Sequence, residues 1–130
     1  MREETERWWR RALEDMKTAR VTLAGERWSA TAFFAQQATE KALKALWVER
    51  TGEPPARTHD VVRLAEMTGC PVGRDALDQL SRAYLLSRYP DAGSDPETDV
   101  DEPAARRLVT AAEEALAWVE RQLSTTLSRD

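Results

Sequence analysis

The sequence has very little cysteine and histidine, and it has no long apolar run. Its 130 residues include one cysteine, Cys70, and one histidine, His59. A single cysteine cannot form an intramolecular disulfide, which favours a reducing compartment, and the two residues together cannot supply a zinc ligand set. No apolar run approaches the roughly 18 residues that a membrane span requires. We therefore expect a cytoplasmic chain with no metal site, no cofactor and no membrane segment.

Glycine is also scarce, at 5 residues, whereas Ala, Leu, Glu and Arg are abundant. These four residue types are good helix formers. Hydrophobic residues make up 42% and charged residues 32%, which suits helices with solvated outer faces around one core. The net charge of −4 does not indicate a general affinity for nucleic acid, although it is compatible with a local basic patch. We expect a single all-α domain over residues 1–130.

Five stretches have apolar residues at helical spacing. We predict helices over residues 3–23 and 28–50, a short helix after residue 58, and helices over residues 75–87 and 103–127. In the fourth of these helices, the residues predicted to point into the core are Leu77, Leu80, Tyr84 and Leu85. Thr58 is the predicted N-cap of the third helix, with Asp60 in its first turn, and Gly25 and Gly69 are predicted to end the first and third helices. This order predicts an up-and-down bundle of four or five helices.

The second predicted helix has an apolar stripe of small residues and, on its opposite side, two aromatic residues. Phe33 and Trp47 lie there among Gln37, Glu40 and Lys44. One explanation is a helix at the centre of the bundle, contacted on several sides. The other is a second buried contact such as a homodimer interface formed by these five residues, since exposed aromatic patches usually mark partner surfaces. The sequence leaves both explanations open.

Two positions are candidates for chemistry. His59, predicted in the first turn of the third helix, can act as an acid–base group or can simply hydrogen-bond and fix the preceding loop. Arg88 closes the fourth helix at an Arg-Tyr-Pro-Asp turn, residues 88–91. Arg88 and Asp91 can pair across the turn, or Arg88 can bind a nucleotide phosphate while Tyr89 stacks on a base. We take Arg88, Tyr89, Asp91 and Lys41 as candidate contacts of a nucleotide or RNA.

Four separated segments resemble the HEPN (higher eukaryote and prokaryote nucleotide-binding) family. They are the opening helix with Trp8, Ala12 and Asp15, the helix FFAQQATEKALKAL at residues 33–46, Thr58-His59-Asp60-Val61 after a proline-rich turn, and Ser87-Arg88-Tyr89-Pro90-Asp91. The resemblance covers residues 7–123. It implies an up-and-down helical bundle that commonly dimerises.

The same resemblance implies two functions. Small prokaryotic members often pair with a minimal nucleotidyltransferase in a two-component, toxin–antitoxin-like system, so the first hypothesis is a homodimeric partner subunit that binds a nucleotide or RNA near residues 88–91. Many members are metal-independent endoribonucleases with an Arg, four to six residues, then a His. After Arg88 the corresponding positions hold Gly93, Ser94 and Asp95, so that histidine is missing. RNA cleavage by Arg88 and His59 is the second hypothesis, and whether the chain is an enzyme stays open.

Overall fold

Our computed structural model describes residues 1–88 and 100–129, with side chains described at residues 1–84 and 100–125. This part of the chain contains five helices and no strand. The helices are α1 (Glu3–Ala24), α2 (Trp28–Thr51), α3 (Val61–Thr68), α4 (Arg74–Arg88) and α5 (Glu102–Arg129). The all-α prediction is confirmed, and the ends of each predicted helix lie within a few residues of the ends of an observed helix. Within the described ranges, no helix combines the length and apolar character needed to cross a bilayer.

Helices α1 and α2 form an antiparallel hairpin. At one end, the Arg2 backbone N–H donates to Glu49 Oε1 over 3.0 Å, and at the other the Thr31 hydroxyl donates to the Thr22 hydroxyl over 3.0 Å. Fully buried alanines on both helices let the two backbones approach closely: Ala12 and Ala19 on α1, and Ala35, Ala38 and Ala42 on α2. Gly25 follows the end of α1, as predicted.

Helix α2 lies at the centre of the bundle and packs against all four other helices. Its polar residues Gln36, Glu40 and Lys44, on the side opposite the apolar stripe, are buried by the rest of the chain. Phe33, Gln37 and Trp47 are half-buried. The central-helix explanation therefore accounts for the buried polar residues, while a dimer contact through the half-buried ones stays a prediction.

The start of α3 differs from the prediction. Asp60, not Thr58, is the N-cap, because its Oδ1 accepts the backbone N–H groups of Val62 at 3.0 Å and Arg63 at 3.4 Å. The Thr58 hydroxyl instead accepts the Asp60 backbone N–H at 3.1 Å, which makes a local turn. His59 consequently precedes the N-cap and does not lie in the first turn. Gly69 ends α3 as predicted, with φ of 78°.

Helices α4 and α5 both pack against α2 and also contact each other. The predicted inward residues Leu77 and Leu80 of α4 are buried, together with Ala83. Tyr84 was also predicted to point inward, but it is half-buried at the surface, and the side chain of Leu85 lies outside the described residues. Asp101 Oδ1 accepts the Ala104 backbone N–H at 2.9 Å and so caps α5.

Candidate functional site

Glu40 is the centre of a buried polar cluster that reaches the surface at His59. Its Oε1 lies 3.0 Å from His59 Nδ1 and accepts the Gln36 side-chain amide at 3.1 Å. Its Oε2 accepts from Lys44 Nζ at 3.0 Å. The Gln36 amide also donates to the His59 backbone carbonyl at 2.9 Å. Both the ring and the main chain of His59 are therefore held by side chains of α2.

The spacing of the cluster along α2 explains why these side chains meet. Gln36, Glu40 and Lys44 are four residues apart, so they lie on one face of the helix, one above the other. A carboxylate at this depth needs a nearby positive charge and hydrogen-bond donors, and Lys44 and Gln36 supply them. Lys44 Nζ also lies 5.4 Å from the centroid of the Trp8 ring, so the cluster continues to α1 through a cation–π contact.

Tyr84 of α4 covers one face of the His59 ring. The ring centroids are 4.3 Å apart and the planes differ by 19°, which is a stacked arrangement. The His59 side chain nevertheless remains 51% exposed. One edge of the imidazole is thus fixed by Glu40 and one face by Tyr84, while the rest of the ring is open to a ligand.

A groove of about 560 Å³ begins at this ring pair and runs between α3 and α4. Its lining residues are His59, Asp60, Val62, Arg74, Asp78, Ser81 and Tyr84. The charged groups in it have partners, since Ser81 donates to Asp60 Oδ1 at 3.1 Å and Arg74 Nε lies 3.5 Å from Asp78 Oδ1. The volume lies within the range of small-molecule and cofactor sites. No group of three or more His, Cys, Asp or Glu able to hold a metal occurs in the described part of the chain.

Arg88 is the last residue of α4, one helical turn after Tyr84. Residues 81, 84 and 88 are spaced so that they share one stripe of the helix. The backbone of Arg88 therefore lies on the side of α4 that carries the groove. His59 lines the same groove, a spatial relationship that could not be predicted from the sequence. The Arg88 side chain, Tyr89 and Asp91 lie outside the described residues.

Lys41, the remaining candidate contact of a nucleotide, faces α1. Its Nζ lies 2.5 Å from Asp15 Oδ2, and the two side chains are 22% and 17% exposed. Lys41 does not line the groove, whereas Glu40 beside it in the sequence turns toward His59. The structure thus does not bring Lys41 together with His59. Tyr84, which sequence reasoning treated as a core residue, is the site residue that was missed.

The residues of the predicted dimer interface fall into two groups. Glu40 and Lys44 have their partners inside the chain, as described above. Phe33, Gln37 and Trp47 are half-buried on α2, and Trp8 of α1 is half-buried too. The Phe33 ring meets the Phe34 ring edge to face, with centroids 5.2 Å apart. We refer to Trp8, Phe33, Gln37 and Trp47 as the hairpin face.

Comparison with known proteins gives a consistent assignment. The family model described as HEPN domain matches residues 5–122. The crystal structure of TT1696 from Thermus thermophilus has 26% sequence identity and a TM-score of 0.81, over 93% of this chain and 99% of that chain. The structure of ST0689, an archaeal HEPN homologue, has 28% identity and a TM-score of 0.73, over 93% of this chain and 98% of that chain. The search of curated proteins gave no match.

Proposed function

The chain belongs to the HEPN family, and we propose that it is a homodimeric partner subunit of a nucleotidyltransferase that binds a nucleotide or RNA in the groove beside His59. The observation that carries this proposal is the stack of His59 on Tyr84 at the end of the groove, 4.3 Å between centroids. Aromatic rings held in place at the rim of a groove of nucleotide size are suited to stacking with bases.

The position of Arg88 supports the same ligand. The groove lining has the guanidinium of Arg74 and the two carboxylates of Asp60 and Asp78. Arg74 pairs with Asp78, and Asp60 caps α3. A phosphate needs a further cation, and Arg88 follows Tyr84 by one turn on the same stripe of α4. We assign Arg88 to the phosphate, with Tyr89 and Asp91 as the next contacts along the chain.

The hairpin face supports the homodimer. Trp8, Phe33 and Trp47 are half-buried aromatic residues, and aromatic residues are enriched in protein interfaces. The pairing with a minimal nucleotidyltransferase in a two-component system follows from family resemblance. It is tested by purifying the tagged chain from its own host and identifying every copurifying chain by mass. A nucleotidyltransferase in the complex supports the pairing, and a bare homodimer contradicts it.

A second candidate function is metal-independent RNA cleavage. The observation that favours it is the exposed imidazole of His59, which lies against the stripe of α4 that ends at Arg88. An imidazole from another part of the chain would then replace the histidine that is missing after Arg88 in the sequence. Incubating RNA with the protein in EDTA should give products with a 2′,3′-cyclic phosphate, and both His59→Ala and Arg88→Ala should abolish them. Cleavage that survives in both variants contradicts this function.

Binding is tested by titrating a fluorescently labelled single-stranded RNA with the parent, Tyr84→Ala and Arg88→Ala. We expect Tyr84→Ala to weaken binding about tenfold, in line with the loss of one stacked base. Arg88→Ala should reduce the slope of log affinity against log salt by about one, as expected for one phosphate contact. Arg63→Ala is the matched control, because Arg63 is exposed on α3 and does not line the groove. Unchanged binding by both test variants would overturn the proposed site.

A further inference from the structure

Glu40 meets the His59 ring through a single nitrogen. The Nδ1–Oε1 distance is 3.0 Å, and the Glu40 side chain is only 4% exposed. Lys44 Nζ lies 3.0 Å from the other oxygen, so Glu40 is the carboxylate of a buried ion pair. An ionised carboxylate only accepts hydrogen bonds, so the ring nitrogen that faces it has to carry a hydrogen.

We infer that Glu40 is a positioning residue that holds neutral His59 as the Nδ1–H tautomer and leaves Nε2 as a hydrogen-bond acceptor at the groove. In water the neutral histidine ring favours the opposite form, with the hydrogen on Nε2. The buried carboxylate therefore reverses the ordinary preference. This inference deepens the proposed function and rests on it for its ligand, because it states which chemical groups the groove accepts.

Two further contacts keep the ring from turning over. The Gln36 amide donates both to Glu40 Oε1 and to the His59 backbone carbonyl, which fixes the main chain relative to the carboxylate. Tyr84 lies flat against the ring. A ring turned by 180° would place a carbon at Glu40 Oε1 and would leave this buried oxygen with one donor fewer.

The consequence concerns the ligand. A nitrogen that only accepts hydrogen bonds selects groups that donate them, such as a hydroxyl or an amino group. A carbonyl oxygen or a phosphate oxygen cannot bond to Nε2 while the ring is neutral. Glu40 thus imposes a preference on a groove that it does not itself line.

The chain contains one histidine, so the ring nitrogens of His59 give a single set of signals in a long-range ¹H–¹⁵N spectrum. At a pH where the ring is neutral, we expect the parent to show protonated Nδ1 and unprotonated Nε2. The test variant is Glu40→Leu/Lys44→Met, which removes the acceptor of the His59 ring together with both buried charges and so leaves no unpaired ion in the core. We expect its tautomer ratio to shift toward Nε2–H.

The matched control is Asp15→Asn/Lys41→Met, which removes the ion pair between Lys41 of α2 and Asp15 of α1. It makes the same change in charge and should keep the tautomer of the parent. The inference is overturned if the parent is mainly Nε2–H, or if Glu40→Leu/Lys44→Met has the tautomer ratio of the parent.

Titration of the same samples with AMP, which offers ribose hydroxyls and an amino group, gives the ligand readout. Binding to the parent should move the Nε2 signal, and the affinity should fall about fivefold in Glu40→Leu/Lys44→Met, as for one lost hydrogen bond. Equal AMP affinity in the parent and this variant would overturn the preference that we assign to Glu40. Absence of AMP binding with the expected tautomer would count against the proposed function and would still support the role of Glu40.

Discussion

Glu40 and Lys44 lie one turn apart on α2 and form an ion pair with 3.0 Å between Oε2 and Nζ, with side chains only 4% and 7% exposed. A buried pair of this kind contributes little net stability compared with apolar residues of similar size, but removing one partner leaves an uncompensated charge in the core. The pair therefore makes Glu40 and Lys44 interdependent, and it fixes the carboxylate on which the orientation of His59 depends.

We expect Lys44→Met alone to lower the free energy of unfolding by about 3–5 kcal/mol, because the Glu40 carboxyl then stays buried without its ammonium partner. Glu40→Gln/Lys44→Met should be less destabilised than Lys44→Met, since it carries no buried charge at this position. Urea denaturation at matched protein concentration measures both values. A double variant that is less stable than the single variant would show that the pair is not the source of the loss.

The cap of α3 gives a second prediction. Asp60→Ala should cost about 1–2 kcal/mol of unfolding free energy, because two backbone N–H groups lose their acceptor. The Ser81 hydroxyl also loses its hydrogen bond to the Asp60 carboxylate. Asp60→Asn should retain most of the stability, since asparagine caps helices about as well as aspartate.

Thr58→Ala is the control for this cap, because the Thr58 hydroxyl accepts only the Asp60 N–H of the preceding turn. Thermal or urea unfolding should rank the parent and Asp60→Asn together, Thr58→Ala slightly lower and Asp60→Ala lowest. If Thr58→Ala proved the most costly of the three, Asp60 would not be the cap that matters for stability.

Glu49 gives a prediction for the pH dependence of stability. Burial raises the pKa of its carboxyl, but the hydrogen bond from the Arg2 backbone N–H and the positive charges of the N-terminus and Arg2 outweigh this and lower the pKa below its ordinary value of 4.5. A carboxyl with a lower pKa in the folded state stabilises the protein above the unfolded-state pKa. This contribution is lost as the pH falls through the folded-state pKa.

We therefore expect the melting temperature of the parent to fall more steeply below pH 4.5 than that of Glu49→Gln. Above that pH, Glu49→Gln should be the less stable of the two. Calorimetric scans across this range measure both curves, with Glu53→Gln, an exposed site just after α2, as the control. Parallel curves for the parent and Glu49→Gln would show that Glu49 does not contribute to acid unfolding.

The helices were predictable from the sequence because helical periodicity and glycine stops are local signals, as at Gly25 and Gly69. The choice between Thr58 and Asp60 as the cap was not, since both residue types cap well and only the observed hydrogen bonds distinguish them. The neighbourhood of His59 was beyond the sequence for a different reason. Its contacts with Glu40 and Tyr84 join residues 19 and 25 positions apart and depend on how α2, α3 and α4 pack.

The hairpin face gives the last prediction. Phe33 and Trp47 lie on one stripe of α2, spaced by about four helical turns, and both are half-buried in the single chain. If a second copy covers them, a charge at either position has to be buried in the interface without a partner, which is strongly unfavourable. We expect Phe33→Glu and Trp47→Glu to convert the dimer to a monomer in sedimentation equilibrium, while circular dichroism stays that of a helical protein.

Val21→Glu is the control for these variants, because Val21 is the most exposed of the large hydrophobic residues in the described chain, at 69%, and lies outside the hairpin face. It also introduces a glutamate, but at a surface that we do not assign to an interface, so the dimer should persist. Dissociation by Val21→Glu, or dimers that persist in both α2 variants, would place the contact elsewhere. A parent that is monomeric at all concentrations would contradict the homodimer itself. Ligand binding in the groove would then involve the residues of one chain only.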